Sequence, residues 1–349
     1  MKKILTTLCA VAMLAGCTAG GSKKSSTNTA STKEETAATV MVGTGSVTNV
    51  SNKTKEGSDT TAQFDTTFAS VVLEGNVIKY VYFDVAQDKV TYDATGHVTS
   101  DNTASTSKKA LGDKYGMKDK SSIKKEWYEQ VEALEKWAVG KTVEEVLNMP
   151  TTQKDEKHTV SADKDLMTGC TIGVTAFQQA LDKAAKNAVE VKDVASVGSA
   201  ILTQVSGKDA SAEKSGEAKA SSTYGVVALD KDGKVVFTQT DVAQNAVKFT
   251  TAGVVDGEAV AIATKGEKKD EYGMKKVSSI GKEWFEQNQA YDDWTVGKTG
   301  KEIADMKVTT NEGGKTVTAD KDLMTGCTIG VDSLQKVTTT AIEAATKLN

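Results

Sequence analysis

Strand-like and helix-like patterns follow one another along this chain in a fixed order, and the order is used twice. Phe68 to Leu73 and Val77 to Asp84 are dense in β-branched and aromatic residues and flank Glu74-Gly75-Asn76, which predicts two strands joined by a turn. Tyr224 to Leu229 and Lys234 to Asp241 repeat the pattern around Asp230-Lys231-Asp232-Gly233. A third strand is expected at Lys89 to Tyr92 and again at Ala246 to Phe249, turning at Gly96 and Gly253. The segment from Ser100 to Lys109 reads as loop. Beyond it Trp127, Val131 and Leu134 are spaced four and three apart, the period of a half-buried helix, with Ser121 or Ser122 as its cap. Thr142 with Glu145, and Thr299 with Glu302, place Glu three residues after Thr, a capping box that begins a short helix in each copy. Phe177, Ala180, Leu181, Ala184 and Ala188 share one face of a closing helix. The expected class is α+β, with an antiparallel β-meander first and helices after it.

Self-comparison explains the doubling. Tyr115-Gly116-Met117-Lys118 returns 157 residues later as Tyr272-Gly273-Met274-Lys275, and Asp84-Val85-Ala86-Gln87 returns at the same spacing as Asp241-Val242-Ala243-Gln244. Trp127 and Trp137 recur as Trp284 and Trp294. Upstream, Gly45-Ser46, Val50-Ser51 and Lys53 match Gly198-Ser199, Val205-Ser206 and Lys208 at spacings of 153 to 155. The polar runs Ser51 to Thr66 and Ser206 to Ser222 therefore hold equivalent places, and read as surface loops after a first strand. Two tandem units are expected, 38–190 and 191–349, with the break between Val189 and Asp193.

Composition narrows the function. A chain of 349 residues, 38% hydrophobic and 26% charged, suits two ordinary globular domains. A net charge of −4 gives no basic footprint for nucleic acid. His97 aligns with Val254 and His158 with Lys315, so neither histidine belongs to what was duplicated, and no metal site is expected. No Walker-type or dinucleotide-binding glycine loop is present. At the N-terminus, Lys2 and Lys3 precede an apolar run from Ile4 to Ala15, too short for a stable transmembrane helix, which ends at Leu14-Ala15-Gly16-Cys17. Residues 18–37 carry Gly, Ser, Thr, Lys and Glu without apolar period, the composition of a disordered tether. Of the four cysteines, only Cys170 and Cys327 remain beyond this region. A disulfide between them needs Cα atoms within about 7 Å, and two separate small side chains are the expectation.

The candidate chemistry lies in nine residues written twice. Asp165-Leu166-Met167-Thr168-Gly169-Cys170-Thr171-Ile172-Gly173 returns letter for letter as Asp322-Leu323-Met324-Thr325-Gly326-Cys327-Thr328-Ile329-Gly330. Recent duplication alone does not account for this, because the flanking Thr175-Ala176-Phe177 faces Asp332-Ser333-Leu334. Thr171 and Thr328 each fall a few residues before a helix N-terminus, where free N–H groups and the helix dipole favour a phosphate.

The pattern Asp, two variable residues, Thr, Gly, a small residue, Thr resembles the modification site of covalently flavinylated FMN-binding domains. That resemblance implies FMN joined by a phosphoester to Thr171 and to Thr328, each installed by a separate flavin transferase. Asp165 and Asp322 match the family's acidic position, where they help the transferase hold its metal or substrate; the alternative is an exposed turn residue. Thr168 and Thr325 would orient the site by hydrogen bonding, and Gly169 and Gly326 would allow close approach. Cys170 and Cys327 stand where the family commonly has Ala, either as packed small residues or as thiols beside the flavin. Trp137 and Trp294 are the aromatic candidates for flavin contact, against the alternative of core anchors. Met117, Met167, Met274 and Met324 read as gap fillers.

Leu14-Ala15-Gly16-Cys17 resembles a bacterial lipobox, which implies cleavage before Cys17 and lipidation of its thiol. Anchor, tether and two motif-bearing units together resemble the FMN-binding lipoproteins of flavin-based extracellular electron transfer in Gram-positive bacteria. The resemblance implies an electron-transfer protein rather than a turnover enzyme, lipid-anchored on the extracellular face of the cell membrane. It would take electrons from a membrane NADH dehydrogenase or quinol system and pass them to extracellular acceptors such as ferric iron or soluble flavin. The competing reading is a cofactor-free extracellular ligand-binding or adhesion lipoprotein.

Overall fold

A computed structural model describes residues 39–54, 59–156, 158–258 and 260–348. The expected leader 1–17 with its Cys17, and the expected tether 18–37, lie outside the described residues. Among the described residues no helix is long and apolar enough to cross a membrane.

The first repeat runs β1 (Val40–Thr54), β2 (Thr60–Glu74), β3 (Val77–Tyr92), β4 (Ala104–Ser105), α1 (Lys108–Leu111), α2 (Trp127–Ala138), α3 (Val143–Leu147), β5 (Thr151–Gln153), β6 (Thr159–Ser161), α4 (Lys164–Met167), α5 (Thr175–Lys186) and β7 (Val189–Val191). The second runs β8 (Ser196–Lys208), β9 (Gly216–Leu229), β10 (Val235–Phe249), α6 (Lys265–Lys268), α7 (Trp284–Thr295), α8 (Gly300–Ala304), β11 (Val308–Thr310), β12 (Thr316–Thr318), α9 (Lys321–Met324), α10 (Asp332–Glu343) and β13 (Thr346–Lys347). The protein is α+β, two similar units of antiparallel sheet followed by helices. The sheets have strand orders β3-β2-β1-β7 and β10-β9-β8-β13, and β4 of the first repeat pairs with β8 of the second.

The strands are longer than their hydropathy suggests. Ser51 to Thr66 and Ser206 to Ser222 are mostly strand, not surface loop: β1 and β2 stay in register from Met41↔Leu73 to Thr54↔Thr60, and β8 and β9 from Ser196↔Leu229 to Lys208↔Glu217. Their inward positions alternate with period two, but carry Thr60, Ala62 and Phe64 in one copy and Gly216, Ala218, Ala220 and Ser222 in the other. Small and hydroxylated residues hid the pattern. They are needed because bulky rings fill the space opposite; a Cβ on Gly216 would strike the ring of Phe249. The two short strands expected on either side of Val85 are likewise one strand, β3, and their counterparts are β10. The segment expected as loop before Lys109 holds β4 and the start of α1.

The sheets pack face to face, with the helices of each repeat on the outer side. Ala62, Phe64, Val90 and Tyr92 meet Val205, Ala218, Ala220, Val247 and Phe249 in one shared cluster. The packing follows an approximate two-fold axis. Tyr92 stacks on its own counterpart Phe249 with centroids 3.8 Å apart, and Phe68 meets Tyr224 at 4.9 Å. The turn at Gly96 presses on Thr250 and Thr251, while the matching turn at Gly253 presses on Asp93 and Ala94. Both glycines have φ near +70° and stand where a Cβ would clash, so each is required twice over. The two repeats thus form one compact unit.

On the outer face, α5 lies across β1 so closely that a Cβ on Gly43 would strike the carbonyl oxygen of Ala184, and Gly198 stands in the same relation to Ala341. α2 begins at Trp127 with Glu126, not Ser121 or Ser122, as its cap, because Glu126 and Glu129 form a reciprocal capping box. The boxes at Thr142–Glu145 and Thr299–Glu302 are present. α2 also protects the exposed edge of β3. Glu135 Oε1 accepts from Phe83 N at 2.6 Å and from Lys109 Nζ at 2.7 Å.

At the corresponding place in the second repeat, Lys109 is replaced by Gly266 and Glu135 by Asp292. Asp292 accepts from Thr240 N and Thr240 Oγ1 at 3.1 and 2.7 Å and from Asn288 Nδ2 at 3.3 Å, and among the described residues no lysine pairs with it. Burial pushes its carboxyl well above the usual carboxylate range. A raised folded value binds a proton that the unfolded chain gives up near pH 4, so this contribution is full below about pH 4 and is lost as pH rises through the folded value. Asp292→Asn keeps an acceptor for Thr240 N, and its amide N–H donates to Thr240 Oγ1 as that hydroxyl turns its own hydrogen to Asn288 Oδ1. Urea melts of this variant should show stability gaining on the parent steadily from pH 5 to pH 8; parallel curves would refute a neutral Asp292.

Candidate functional site

Each nine-residue motif is built by a short helix, a tight turn and a dock onto a strand. Asp163 caps α4 by accepting from Asp165 N and Leu166 N at 3.0 and 2.9 Å, while the Leu166 side chain is buried in the core. The turn closes as Gly169 N and Cys170 N both donate to Leu166 O, at 2.9 and 2.8 Å. Gly169 then passes close to α2, where a Cβ would stand 2.7 Å from Ala133 Cβ; Gly326 has the same relation to Ala290 at 2.8 Å. Gly173 bridges to Val160, and Val174 N donates to Thr159 O at 2.9 Å, which fixes the far end of the loop on β6.

Between these anchors Thr171 is held by a residue that hydropathy reading passed over. Gln130, fully buried on α2, accepts at Oε1 from Thr171 N at 2.9 Å and from Thr171 Oγ1 at 3.1 Å. Its Nε2 donates to Ser121 Oγ and Lys125 O, both at 3.1 Å, so the amide can face Thr171 only with its oxygen. Ser121 therefore serves the site rather than the helix cap. Gln287 repeats the arrangement on Thr328 at 2.8 and 3.0 Å, with Nε2 on Ser278 Oγ and Lys282 O. The signal was present in the sequence: Gln130 and Gln287 stand 157 residues apart, inside Glu-Trp-x-Glu-Gln in both copies.

The other expected site residues separate into those near the threonines and those away from them. Asp165 and Asp322 are exposed in the first turns of α4 and α9, and Thr168 Oγ1 and Thr325 Oγ1 donate back to their carbonyl oxygens at 2.8 Å. Thr168 and Thr325 thus close their own helices rather than orient Thr171 or Thr328. Cys170 and Cys327 are free and buried, and burial pushes both thiols up to about 11, which keeps them protonated. Trp137 and Trp294 sit two turns beyond the glutamines, each under a lysine ammonium 4.4 Å from its ring, and line neither opening at the threonines. Met167 and Met324 are 41% and 46% exposed and fill no gap, whereas Met117 and Met274 line the openings.

The openings themselves differ. Thr328 stands at a cleft of about 1260 Å³, whose wall includes Tyr272, Met274, Trp284 and Gln287. Thr171 opens onto about 110 Å³, bounded by Met117, Lys120, Ser121 and Lys154. Lys154 Nζ donates to Thr171 O at 3.1 Å, while the corresponding Asn311 accepts instead from Lys315 N at 3.0 Å. Small-molecule sites commonly measure about 300–1,000 Å³, so the second cleft has room for a flavin-sized ring and the first does not. Among the described residues no group of three or more His, Cys, Asp or Glu side chains is placed to hold a metal. Comparison with protein-family models, curated proteins and solved structures found no match to this chain.

Proposed function

We propose that this chain is an electron carrier bearing covalent FMN on Thr328 and Thr171. The observation that carries the reading is the twin glutamine clamp: two half-buried threonine hydroxyls, held by buried amides with the same geometry, within the longest stretch that both repeats keep unchanged. The residues around Thr328 fit the group. Tyr272 and Met274, backed by the almost wholly buried Trp284, offer an apolar wall for its ring, and the cleft has room for it. FMN, when bound, supplies acceptance of two electrons and their release one at a time.

The chain's own part in attachment is to present an oxygen. Gln130 Oε1 accepts a hydrogen bond from the Thr171 hydroxyl, which leaves the lone pairs of Oγ1 to face the phosphorus of an activated donor, whose bond to its leaving group would break as the ester forms. A neutral amide is too weak a base to remove that proton, so the base must come from the modifying enzyme. α5 and α10 begin without a side-chain cap, and their free N–H groups lie a few residues beyond the threonines, a favourable setting for the negative charge of a phosphodiester. In the wider reading, lipid on Cys17 holds the protein at the outer face of the membrane. There it relays electrons from a membrane NADH dehydrogenase or quinol system to ferric iron or soluble flavin.

Intact-mass measurement after coexpression with a flavin transferase tests the assignment. Thr171→Ala and Thr328→Ala should each lose one FMN and the double variant both. Masses that do not change between these variants would remove the threonines from consideration, and a colourless wild-type protein would favour the cofactor-free alternative.

A further inference from the structure

Lys265 is a cation without a counterion. It stands at the start of α6, mostly out of water, with Nζ 5.7 Å from the ring centroid of Tyr272 and 5.5 Å from that of Trp284. Among the described residues no carboxylate pairs with it at salt-bridge distance. The carboxylate that acts on it most, Asp241, is already engaged by Thr264 Oγ1 at 2.5 Å and by Gly266 N and Val242 N at 2.9 and 2.6 Å, and burial raises its carboxyl above the usual range. Around Lys265 the cleft gathers further positive charge, Lys315 from the β11–β12 hairpin and Lys219 from β9. Lys219 has a partial partner in Glu217 at 3.6 Å, and Glu312 and Asp332 also line the cleft. Burying a lysine unpaired is costly, and placing other lysines beside it adds to the cost. The repulsion of Lys315 and Lys219 adds to burial in pulling the Lys265 ammonium down to about 8.

We propose that Lys265, with Lys315 and Lys219, forms an anion site over the Tyr272–Trp284 wall that reversibly binds a phosphoryl group carried on a planar aromatic ring. The cation takes the phosphoryl charge, while Tyr272 and Met274, with the buried Trp284 behind them, give the aromatic part an apolar surface. The site belongs to the second repeat alone. Lys108 keeps the equivalent position over Tyr115 and Trp127, but Gln63 and His158 replace Lys219 and Lys315, and the adjoining opening measures about 110 Å³. The proposal rests on Thr328 as an attachment point only for the choice of FMN among its ligands. On that reading, the lysines seat the phosphoryl group of the flavin that Thr328 carries.

The test uses the full exported chain from cells lacking a flavin transferase, titrated with FMN, AMP, riboflavin and inorganic phosphate by calorimetry and tryptophan fluorescence. FMN or AMP should saturate one site per chain at least ten-fold more tightly than riboflavin or phosphate, and the stronger of the two names the ring. Lys265→Gln should weaken that ligand at least ten-fold and leave riboflavin within two-fold, Lys265→Arg should retain most of the affinity, and Lys108→Gln should change nothing. Because the ammonium must be charged, affinity should fall as pH rises from 7 to 9. The groups facing it are Lys315, Lys219, Asp241 and Tyr272, with Glu267 and Lys268 on its own helix. Equal binding of FMN and riboflavin, two equivalent sites, or a Lys265→Gln protein that melts and binds like wild type would overturn the proposal. Thr328→Ala separates the two readings. Reversible binding without covalent FMN at residue 328 sinks the ester alone, and covalent FMN without reversible binding sinks the lysine site alone.

Discussion

Gln130→Ala should slow FMN attachment at Thr171 by about 10- to 100-fold, and Gln287→Ala should do the same at Thr328, each leaving the other threonine as an internal control. The expectation follows from what the amide restrains. Thr171 N and Oγ1 share one acceptor, and that acceptor is fixed by bonds to Ser121 and Lys125. Alanine leaves the threonine free to change rotamer and leaves a buried N–H without a partner, which costs about 1–3 kcal/mol of stability. Gln130→Glu keeps an acceptor for Thr171 but turns a carboxylate oxygen towards the Lys125 carbonyl, and should fall between alanine and wild type. Timed peptide mapping of the two motifs, with thermal melts alongside, decides the matter. Equal labelling of both threonines in a folded Gln130→Ala protein would mean that the amide serves packing alone.

Glu135→Ala should destabilise the protein by about 3–5 kcal/mol, the usual cost of removing one partner from a buried ion pair. Both side chains of the Lys109–Glu135 pair are about 85% covered, at 15% and 14% exposure. The alanine strands the ammonium of Lys109, which keeps the Tyr82 ring 3.9 Å away and the field of the buried Asp84 carboxyl but no ion pair, and removes the acceptor for Phe83 N. Glu135→Gln still satisfies Phe83 N and should cost roughly half as much. In urea unfolding, Lys109→Ala and Glu135→Ala together should cost less than the sum of the single changes, because the second removal relieves the charge that the first left bare. Strict additivity would show that the pair does not act as one.

The repeat, the closing helices, the capping boxes and the reach of the turns at Gly75 and Gly233 were all legible from residue pattern, because each depends on contacts near in sequence. The far halves of β1, β2, β8 and β9 were not. Their inward faces are rich in Thr, Ala, Gly and Ser, and it is the rings of Tyr92 and Phe249, with Phe64, Val90, Val205 and Val247, that turn those residues into core. The motif was legible as a repeated string, but its clamp was not, since a glutamine on a helix is ordinarily taken for surface until its partners are seen. The difference between the openings depends on Lys154 and on the lining of the second cleft, neither of which has a local signature. Sequence favours Trp137 and Trp294 over Trp127 and Trp284, yet the fold brings Trp284 to the cleft, because it is the start of α7, not its end, that faces the motif.

The stacking of Tyr92 on Phe249, and of each glycine turn on its counterpart's neighbours, is the arrangement in which a surface recognises a copy of itself. An interface of that kind is what a two-fold homodimer presents. Read as history, the present chain is a dimer whose subunits have been fused, so that association no longer depends on concentration. Fusion also released the halves from sameness, since a change in one no longer appears in the other. A lysine cluster can then collect beside one threonine while its twin keeps a closed doorway, which no symmetric pair of identical subunits could achieve.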